Sequence, residues 1–196
     1  MEKERTLVLL KPDTVKRALV GKILTRFEKA GLKPIAMKMV QVNRNFAEQH
    51  YFLDEAWAKN VYEKTKKKYD EEGKEMRHKD HMSLGKEIQS WNMNFLQEGP
   101  VVAIVLESHH AVELVRKLIG ATEPRSALPG TIRSDFASTE SYPLGDNMQR
   151  VVRNLVHASD SVENAKREIS LWFAPEEIHS YKNIHDLSTE HLENKE

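Results

Sequence analysis

Asn-Leu-Val-His-Ala-Ser-Asp-Ser, residues 154–161, is the stretch from which the fold of this chain can be worked out. Its apolar Leu-Val pair predicts a short buried strand that delivers His157 at its end. A helix start follows, because Asp160 or Ser161 can act as the N-cap and Glu163 lies three residues after Asp160, as in a capping box. The chain is therefore expected to pass from strand to helix directly after a histidine.

The helix that follows carries an apolar stripe at helical spacing. The stripe consists of Val162, Ala165, Ile169 and Trp172. Glu168 borders this stripe, from which its carboxylate can reach back toward His157. A carboxylate on one ring nitrogen would leave the other nitrogen free as a nucleophile, and the nearby helix N-terminus favours anions. The same features also fit a histidine that ends a strand for packing reasons, which is the commoner case.

The composition fits a soluble globular protein with a polar surface. Of the 196 residues, 39% are apolar and 31% are charged, and the formal net charge of zero gives no indication of a nucleic-acid or membrane partner. The chain has no cysteine, which excludes disulfides, thiolate catalysis and cysteine-based metal sites. Since there is neither a signal-peptide pattern nor an apolar run of membrane-spanning length, we expect a cytoplasmic protein.

Strand and helix patterns alternate along the chain. Two fully apolar runs, 6–10 and 101–106, predict central strands, and looser alternation at 34–42 predicts a strand with one exposed face. Helical spacing predicts helices from Thr14 to a C-cap at Gly31, from Phe46 to about Ala58, from Ser83 past Phe95, and from an N-cap at Ser108 to Gly120. This order indicates an α/β or α+β fold with a small sheet and leaves the strand directions open.

The pattern predicts a single domain over residues 1–175. Residues 59–98 form a helical insertion, and its first part is so rich in Lys and Glu that we interpret it as solvated rather than as a nucleic-acid arm. Residues 121–135 and a loop extension at 137–147 are expected to lack regular structure. A polar C-terminal extension occupies 176–196, and its histidines are expected at the surface.

Four stretches resemble, in order, the motifs of the nucleoside diphosphate kinase family. Residues 154–161 are similar to its active-site signature, N-x-x-H-x-S-D-S. Residues 5–13 (RTLVLLKPD) resemble its first strand and lysine, 99–107 (GPVVAIVLE) its central strand, and 116–124 with 129–136 its phosphate-binding helix and loop. The resemblance implies an α+β fold, the ferredoxin-like βαββαβ sandwich, with a four-stranded antiparallel sheet and helices on one face.

The same resemblance implies an enzyme, an ATP:nucleoside diphosphate phosphotransferase that supports nucleotide synthesis. The γ-phosphate would pass from a nucleoside triphosphate to His157 and then to a nucleoside diphosphate, with Mg²⁺ as cofactor bound through the nucleotide phosphates. The chain has no glycine-rich P-loop, so side chains must bind the phosphates. The implied partners are nucleoside di- and triphosphates and further copies of the chain, in a hexamer or tetramer, with no membrane and no specific nucleic acid.

The family's site residues carry over one by one. The catalytic set is His157, Lys11, Tyr51, Glu168 and Ser159, and the nucleotide-binding set is Lys11, Ile88, Arg116, Thr122, Arg133 and Asn154. Family similarity implies that Arg116, Thr122 and Arg133 hold the distal phosphates, where the guanidinium fork suits paired oxygens. It also implies that Lys11 stabilises the transferring group and meets the ribose hydroxyls with Asn154.

The remaining roles concern the histidine and the base. Tyr51 would flank the transferring phosphate, and Glu168, supported by Ser159, would orient the imidazole. Counting back from Gly99 and Pro100 places Ile88 against the nucleobase, while Trp91 is the alternative. Position 158 is Ala where the family usually has Gly.

Two other functions stay open on the sequence. The chain could be a regulator that binds nucleotide or nucleic acid without catalysis, although such a binder has no need of His157. It could also be a phosphohistidine relay protein that passes the phosphate to another protein. A transfer assay that contains only nucleotides separates these possibilities.

Overall fold

The computed structural model describes residues 2–71, 73 and 75–186. Its strands are β1 (Glu4–Leu10), β2 (Lys33–Val40), β3 (Val101–Ser108) and β4 (Val156–Ala158). Its helices are α1 (Pro12–Lys16), α2 (Val20–Lys29), α3 (Arg44–His50), α4 (Glu55–Glu71), α5 (His81–Gln97), α6 (Ala111–Ile119), α7 (Ile132–Ala137), α8 (Tyr142–Asn147) and α9 (Val162–Trp172). Short 3₁₀ turns lie at Pro124–Ser126 and Pro175–Glu177.

The four strands form one sheet in the order β2-β3-β1-β4, and every neighbouring pair is antiparallel. The strands that contain the two apolar runs, β1 and β3, take the central positions, with Val8 opposite Ile104. Central strands are buried on both faces, which is why these two runs show no polar alternation. The expected ferredoxin-like α+β fold with an antiparallel sheet is confirmed.

Helices cover both faces of the sheet. Val8 and Leu10 of β1 point into a core shared with α2, α6 and α7. Leu7 and Leu9 point to the opposite face, into a second core shared with α3, α5 and α9. The expectation of helices on one face is therefore wrong. Successive strand residues face opposite sides, so a strand that is apolar throughout needs cover on both.

Two of the expected helices are broken in the structure. The helix expected from Thr14 divides into α1 and α2, because the backbone at Ala18 adopts a positive φ of 53° between them. The helix expected from Phe46 ends at His50, and Asp54 then starts α4 by accepting a hydrogen bond from the Trp57 N–H at 2.7 Å. Tyr51 consequently lies just after a helix, not inside one.

Several helix boundaries also differ from the expectation. The cap of α5 is Asp80, which accepts from the Ser83 N–H at 2.9 Å, so this helix starts before Ser83. The cap of α6 is His110 in a left-handed conformation (φ 56°), not Ser108. The stretches 121–135 and 137–147, expected as loops, contain most of α7 and all of α8, which begins after the capping hydroxyl of Ser141. These short helices have too few residues to show a periodic pattern.

The first residues of the C-terminal extension are attached to the edge of the sheet. The His179 N–H donates to the Ile35 carbonyl at 2.8 Å. The buried ammonium of Lys33 contacts Glu107 at 2.9 Å and Asp186 at 3.0 Å. His179 is exposed as expected, as is His185, whereas His191 lies outside the described residues. In the described ranges, no helix is both long enough and apolar enough to cross a membrane.

Candidate active site

The fold places His157 on the edge strand β4, opposite Leu9 of the central strand β1. The helix after it is capped by Ser161, whose Oγ accepts from the Asn164 N–H at 3.1 Å. Of the two residues that the sequence offered as N-cap, Ser161 is therefore the one that caps the helix. Because Asn164 occupies the third helical position, Glu163 takes no part in a capping box. The expected passage from strand to helix directly after the histidine is confirmed.

Glu168 forms a direct hydrogen bond with His157. Its Oε1 is 3.1 Å from His157 Nε2, and its Oε2 accepts from the Ser159 hydroxyl at 2.6 Å. Burial alone would raise the pKa of this carboxyl group, but the hydrogen bonds from both partners and the charge of His157 lower it to about 2. An ionised Glu168 can only accept, so Nε2 carries the imidazole proton and Nδ1 has the free electron pair. Nδ1 has no hydrogen-bond partner within the described ranges.

Two further rings pack around the histidine. The His50 ring lies 4.6 Å from the His157 ring at an interplanar angle of 82°, and the Tyr51 ring lies 6.4 Å away at 85°. Burial raises the pKa of Tyr51, which keeps its hydroxyl protonated. Sequence analysis identified Tyr51 and missed His50. The only available signal was that His50 directly precedes Tyr51.

Lys11 and Asn154 form a second cluster at the end of β1. The Lys11 ammonium donates to Asn154 Oδ1 at 2.8 Å and lies 5.3 Å from the centre of the Phe95 ring. Asn154 in turn donates to the Thr122 carbonyl at 2.9 Å. Burial, together with the charge of Arg133, lowers the pKa of Lys11 to about 7. Lys11 can therefore take up a proton when an anion binds beside it.

The two arginines of the expected site differ in their surroundings. Arg133 is buried and donates to three carbonyls: Gly120 at 2.9 Å, Asn154 at 3.2 Å and Val156 at 2.6 Å. Burial lowers its pKa to about 10, so it stays charged near neutral pH. Arg116 is exposed on α6. The first arginine is held by the backbone, and the second is accessible to a ligand.

Asp13 is a buried carboxylate that sequence analysis did not assign to the site. Its Oδ2 accepts from the Leu155 N–H at 3.1 Å and its Oδ1 from the Thr14 N–H at 3.0 Å. Burial raises the pKa of Asp13, against the opposing charge of Lys11. The bond to Leu155 ties α1 to the residue that precedes β4. Asp13 and Glu168 are thus both engaged by the protein.

The expected base-binding residues lie on α5. Phe95 of this helix lies beneath Lys11 and, at 4.3 Å, beneath the guanidinium of Arg153. Ile88 and Trp91 are both partly buried on the same helix. Gln89 connects the helix to the histidine side of the site by donating to the Tyr51 carbonyl at 2.8 Å. These contacts do not distinguish Ile88 from Trp91.

The structure thus brings most of the expected residues into two adjoining clusters. Ser159, Tyr51 and Glu168 surround His157, and Lys11, Asn154 and Arg133 form the second cluster, which joins the first through β1 and β4. Thr122 is exposed and takes part through its carbonyl. Phosphoryl transfer needs an in-line nucleophile and positive charge around the transferring oxygens. The two clusters offer a histidine nitrogen with a free electron pair and buried cationic side chains.

A family model described as nucleoside diphosphate kinase matches residues 4–73 and 68–178. The chain belongs to the nucleoside diphosphate kinase family. It is an enzyme, a phosphotransferase of class EC 2.7.4.6. Among curated relatives, the nucleoside diphosphate kinase of Pyrobaculum aerophilum is 47% identical over 91% of this chain and 99% of its own length. That of Pyrococcus furiosus is 43% identical over 92% of this chain and 89% of its own length.

Solved structures of nucleoside diphosphate kinases share the fold. The Pyrobaculum aerophilum enzyme superimposes with a TM-score of 0.87 at 43% identity, over 91% of this chain and 100% of that one. The Borrelia burgdorferi enzyme, solved as a transition-state mimic with bound vanadate and ADP, gives a TM-score of 0.78 at 34% identity. That comparison covers 95% of this chain and 96% of the other.

Proposed function

We propose that this nucleoside diphosphate kinase transfers the γ-phosphate of a nucleoside triphosphate to a nucleoside diphosphate in two steps, through phosphorylated His157. The observation that carries the proposal is the arrangement of the imidazole. Glu168 holds Nε2 at 3.1 Å and thereby leaves Nδ1 as the nucleophile. Ser159, which donates to the second oxygen of Glu168, keeps that carboxylate in place.

In the first step, Nδ1 of His157 attacks the γ-phosphorus in line with the leaving oxygen. The N–P bond forms, the bond from phosphorus to the β–γ bridging oxygen breaks, and the nucleoside diphosphate leaves with the electron pair. The proton on Nε2 stays there, so positive charge grows on the ring and is balanced by ionised Glu168. The second step is the reverse, with a different diphosphate as acceptor.

The positively charged side chains stabilise different phosphates of the nucleotide. Lys11, at the end of β1, stabilises the charge on the transferring group, and with Asn154 it meets the ribose hydroxyls. Arg116, which is exposed, supplies a fork for the distal phosphates beside Thr122. Arg133 contributes a fixed positive charge, since its nitrogens already donate to carbonyls. Tyr51 flanks the transferring group from the histidine side.

Magnesium fits this site as a companion of the nucleotide. The buried carboxylates of the site, Asp13 and Glu168, accept hydrogen bonds from the protein and leave no ready oxygen cage, which suits an ion held by substrate phosphates. When bound, Mg²⁺ neutralises charge on the phosphate oxygens.

Base preference is expected to be weak, since stacking on Ile88 or on Trp91 suits any base. A preference beyond about a hundredfold for one base would contradict this, because buried polar readout operates on that scale. Comparison of kcat/KM across purine and pyrimidine diphosphates measures it. The cytoplasmic location expected from the sequence is likewise a proposal, which cell fractionation tests.

We further propose a homo-oligomer, a hexamer or tetramer. The edge strand β2 exposes Met37 (56%) and Met39 (59%) side by side on one face. An edge strand with exposed apolar side chains is a surface that proteins normally cover. A second copy of the chain would cover it.

One experiment tests the two-step route directly. The enzyme is incubated with γ-labelled ATP, separated from nucleotide, and chased with a different diphosphate. We expect label on His157 after the first stage and its complete transfer to the acceptor after the second. Phosphate on another residue, or a His157→Ala variant with near-normal turnover, would refute the route. Label on His157 that moves only to another protein would favour a relay function, and binding without labelling would favour a regulator.

A further inference from the structure

We propose that His50, fixed by Trp172, is a positioning residue that sets the plane of the His157 ring. The inference rests on the proposed function, because it takes His157 as the phosphoryl acceptor. His50 ends α3 and Trp172 ends α9, and neither lies in the four stretches that resemble the family motifs. The two side chains meet between these helices, behind the nucleophile.

Glu168 by itself does not fix the nucleophile. It holds one nitrogen of His157, and the torsion that rotates a histidine ring about its Cβ–Cγ bond is broad. In-line attack needs the Nδ1 electron pair to point at phosphorus, so a small rotation of the ring is costly. His50 packs against His157 with ring centres 4.6 Å apart and planes at 82°, which blocks that rotation from one side. The Tyr51 ring, 6.4 Å away at 85°, adds a looser contact.

Trp172 determines how His50 is oriented. The indole N–H donates to His50 Nδ1 at 3.2 Å, and the ring of Phe46 packs edge-on against Trp172 at 4.8 Å. Since the indole nitrogen can only donate, Nδ1 of His50 must accept, and the proton of its neutral ring lies on Nε2. Orientation and tautomer of His50 are thus both set by one neighbour.

His50 is also suited to this role because it stays uncharged. It is 3% exposed, and burial, with the charge of His157 next in weight, lowers its pKa well below the ordinary range. The negative charge of Glu168 raises the pKa of His50 but does not outweigh burial and the charge of His157. A protonated ring here would oppose the positive charge that develops on His157 during attack. The Nε2 atom of His50 is buried without a hydrogen-bond partner in the described part of the chain, a cost that the site evidently tolerates.

A metal site is the competing interpretation of this cluster. His50, His157 and Glu168 place potential ligand atoms within 4.8 Å of one another. A metal ion needs imidazole nitrogens with free electron pairs, yet Nε2 of His50 carries the proton that Trp172 leaves there, and the free pair of His157 lies on Nδ1, the nitrogen proposed as the nucleophile. Binding at His50 would have to break its hydrogen bond with Trp172. The hydrogen bonding therefore favours a positioning role.

Two substitutions test the contact. Trp172→Phe removes the indole N–H and keeps an aromatic ring in the core, while His50→Ala removes the contact itself. We measure the rate of enzyme phosphorylation by γ-labelled ATP in rapid-quench experiments, and nucleotide Kd separately by titration. We expect each variant to be phosphorylated about tenfold more slowly or worse, the usual scale for residues that orient a ligand. Kd should stay within about twofold, since His50 is buried.

A matched control and a rescue separate positioning from general stability. Phe46→Leu loosens the packing of Trp172 but leaves the indole N–H in place. The melting temperature of this variant should therefore fall while its phosphorylation rate stays normal. His50→Gln keeps a neutral side chain whose amide oxygen can accept from Trp172, and it should recover most of the rate lost in His50→Ala. Phosphorylation by phosphoramidate, which needs no nucleotide, should slow in parallel with the ATP reaction.

The outcomes are distinguishable. A folded His50→Ala or Trp172→Phe enzyme whose phosphorylation rate stays within about twofold of normal overturns the inference while leaving His157 as nucleophile. If His50→Ala fails to fold, the Trp172→Phe rate and the ¹⁵N spectrum of His157 decide, since loss of the contact should broaden or shift the ring signals, and an unchanged rate and spectrum overturn it. Phosphate found on a residue other than His157 in the unmodified enzyme refutes the proposed function itself.

Discussion

At the scale of single residues, Glu168 acts through two simultaneous contacts. It accepts from His157 and from Ser159, and its pKa of about 2 keeps it ionised throughout the working range. Glu168→Gln keeps the size, removes the charge and can present an amide donor to the imidazole. We expect kcat to fall by roughly one to three decades, the range for such orienting groups, with nucleotide Kd little changed. A phosphorylation rate unchanged in rapid-quench experiments would show that Glu168 has no orienting role.

Lys11 offers a test by pH. Its pKa of about 7 in the free enzyme lies below the ordinary value of 10.5, so above pH 7 the free enzyme holds a neutral amine. A bound triphosphate favours the ammonium form, and binding must then take up a proton. Affinity should weaken as pH rises from 7 to 9, by up to about tenfold per pH unit.

The matched control for that test is Lys11→Arg, which stays charged throughout this range. Ionisation of the nucleotide itself affects both enzymes equally, so the difference in slope reports the lysine alone. Titration calorimetry in buffers of different ionisation enthalpy measures the proton uptake. Equal pH slopes in the two enzymes would contradict a neutral Lys11 in the free state.

At the scale of elements, Arg133 holds α7 against the ends of α6 and β4. Its three carbonyl partners lie just after α6 at 120, just before β4 at 154 and at the first residue of β4 at 156. Arg133→Lys cannot reach all three, and buried carbonyls left without a donor cost about 1–3 kcal/mol each. We expect a loss of a few kcal/mol in the free energy of unfolding, measured with denaturant, together with a lower kcat. Arg116→Lys, at an exposed position, should weaken nucleotide binding with stability unchanged; equal stability losses would contradict the division of roles.

The elements also show how far sequence patterns reach. Long apolar runs were sufficient to predict β1 and β3, and the signature at 154–161 was sufficient to predict β4 followed by α9. The break at Ala18 was missed, because a positive φ at a non-glycine residue leaves no periodic signal. The break at 51–54 was missed as well, although there Asp54 starts a new helix through the hydrogen bond that its side chain accepts from the Trp57 N–H. Short helices such as α7 and α8 depend on caps and on tertiary contacts more than on periodicity.

The same limit applies to the site. Lys11, Arg133, Asn154, His157 and Glu168 were identifiable because they belong to motifs or to a helical spacing that points at the histidine. His50 and Trp172 have no such signal, since their relationship is a contact between α3 and α9 across 122 positions of sequence. Contacts of that kind follow from the packing of the whole fold and not from local patterns.

At the scale of the whole molecule, His157 forms a hydrogen bond and two ring contacts with described residues of its own chain. The groups around the nucleophile come from α3, β4 and α9, and the cation cluster comes from the end of β1 with its neighbours. The chemistry should therefore survive the loss of partner subunits. Oligomerisation would instead protect the exposed face of the edge strand β2, which the described part of the C-terminal extension contacts at Ile35 through His179 and at Lys38 through Glu177.

Substitutions on β2 should therefore change the assembly of the enzyme without changing its active site. Met37→Lys combined with Met39→Lys places two charges on the exposed face of β2, where a charged edge resists pairing. By light scattering after size-exclusion chromatography, we expect the unmodified enzyme to have the mass of a hexamer or tetramer and the double variant a smaller mass. The variant should still be phosphorylated on His157, since Glu168 and His50 of the same chain contact that histidine.

The control carries the same two charges elsewhere. Leu128 and Met148 are exposed apolar side chains outside both β2 and the C-terminal extension, so Leu128→Lys with Met148→Lys should leave the mass unchanged. An unchanged mass in the Met37 and Met39 variant would rule out β2 as the subunit interface. A smaller mass with no labelling of His157 would instead show that the site depends on a neighbouring subunit, contrary to its arrangement within one chain.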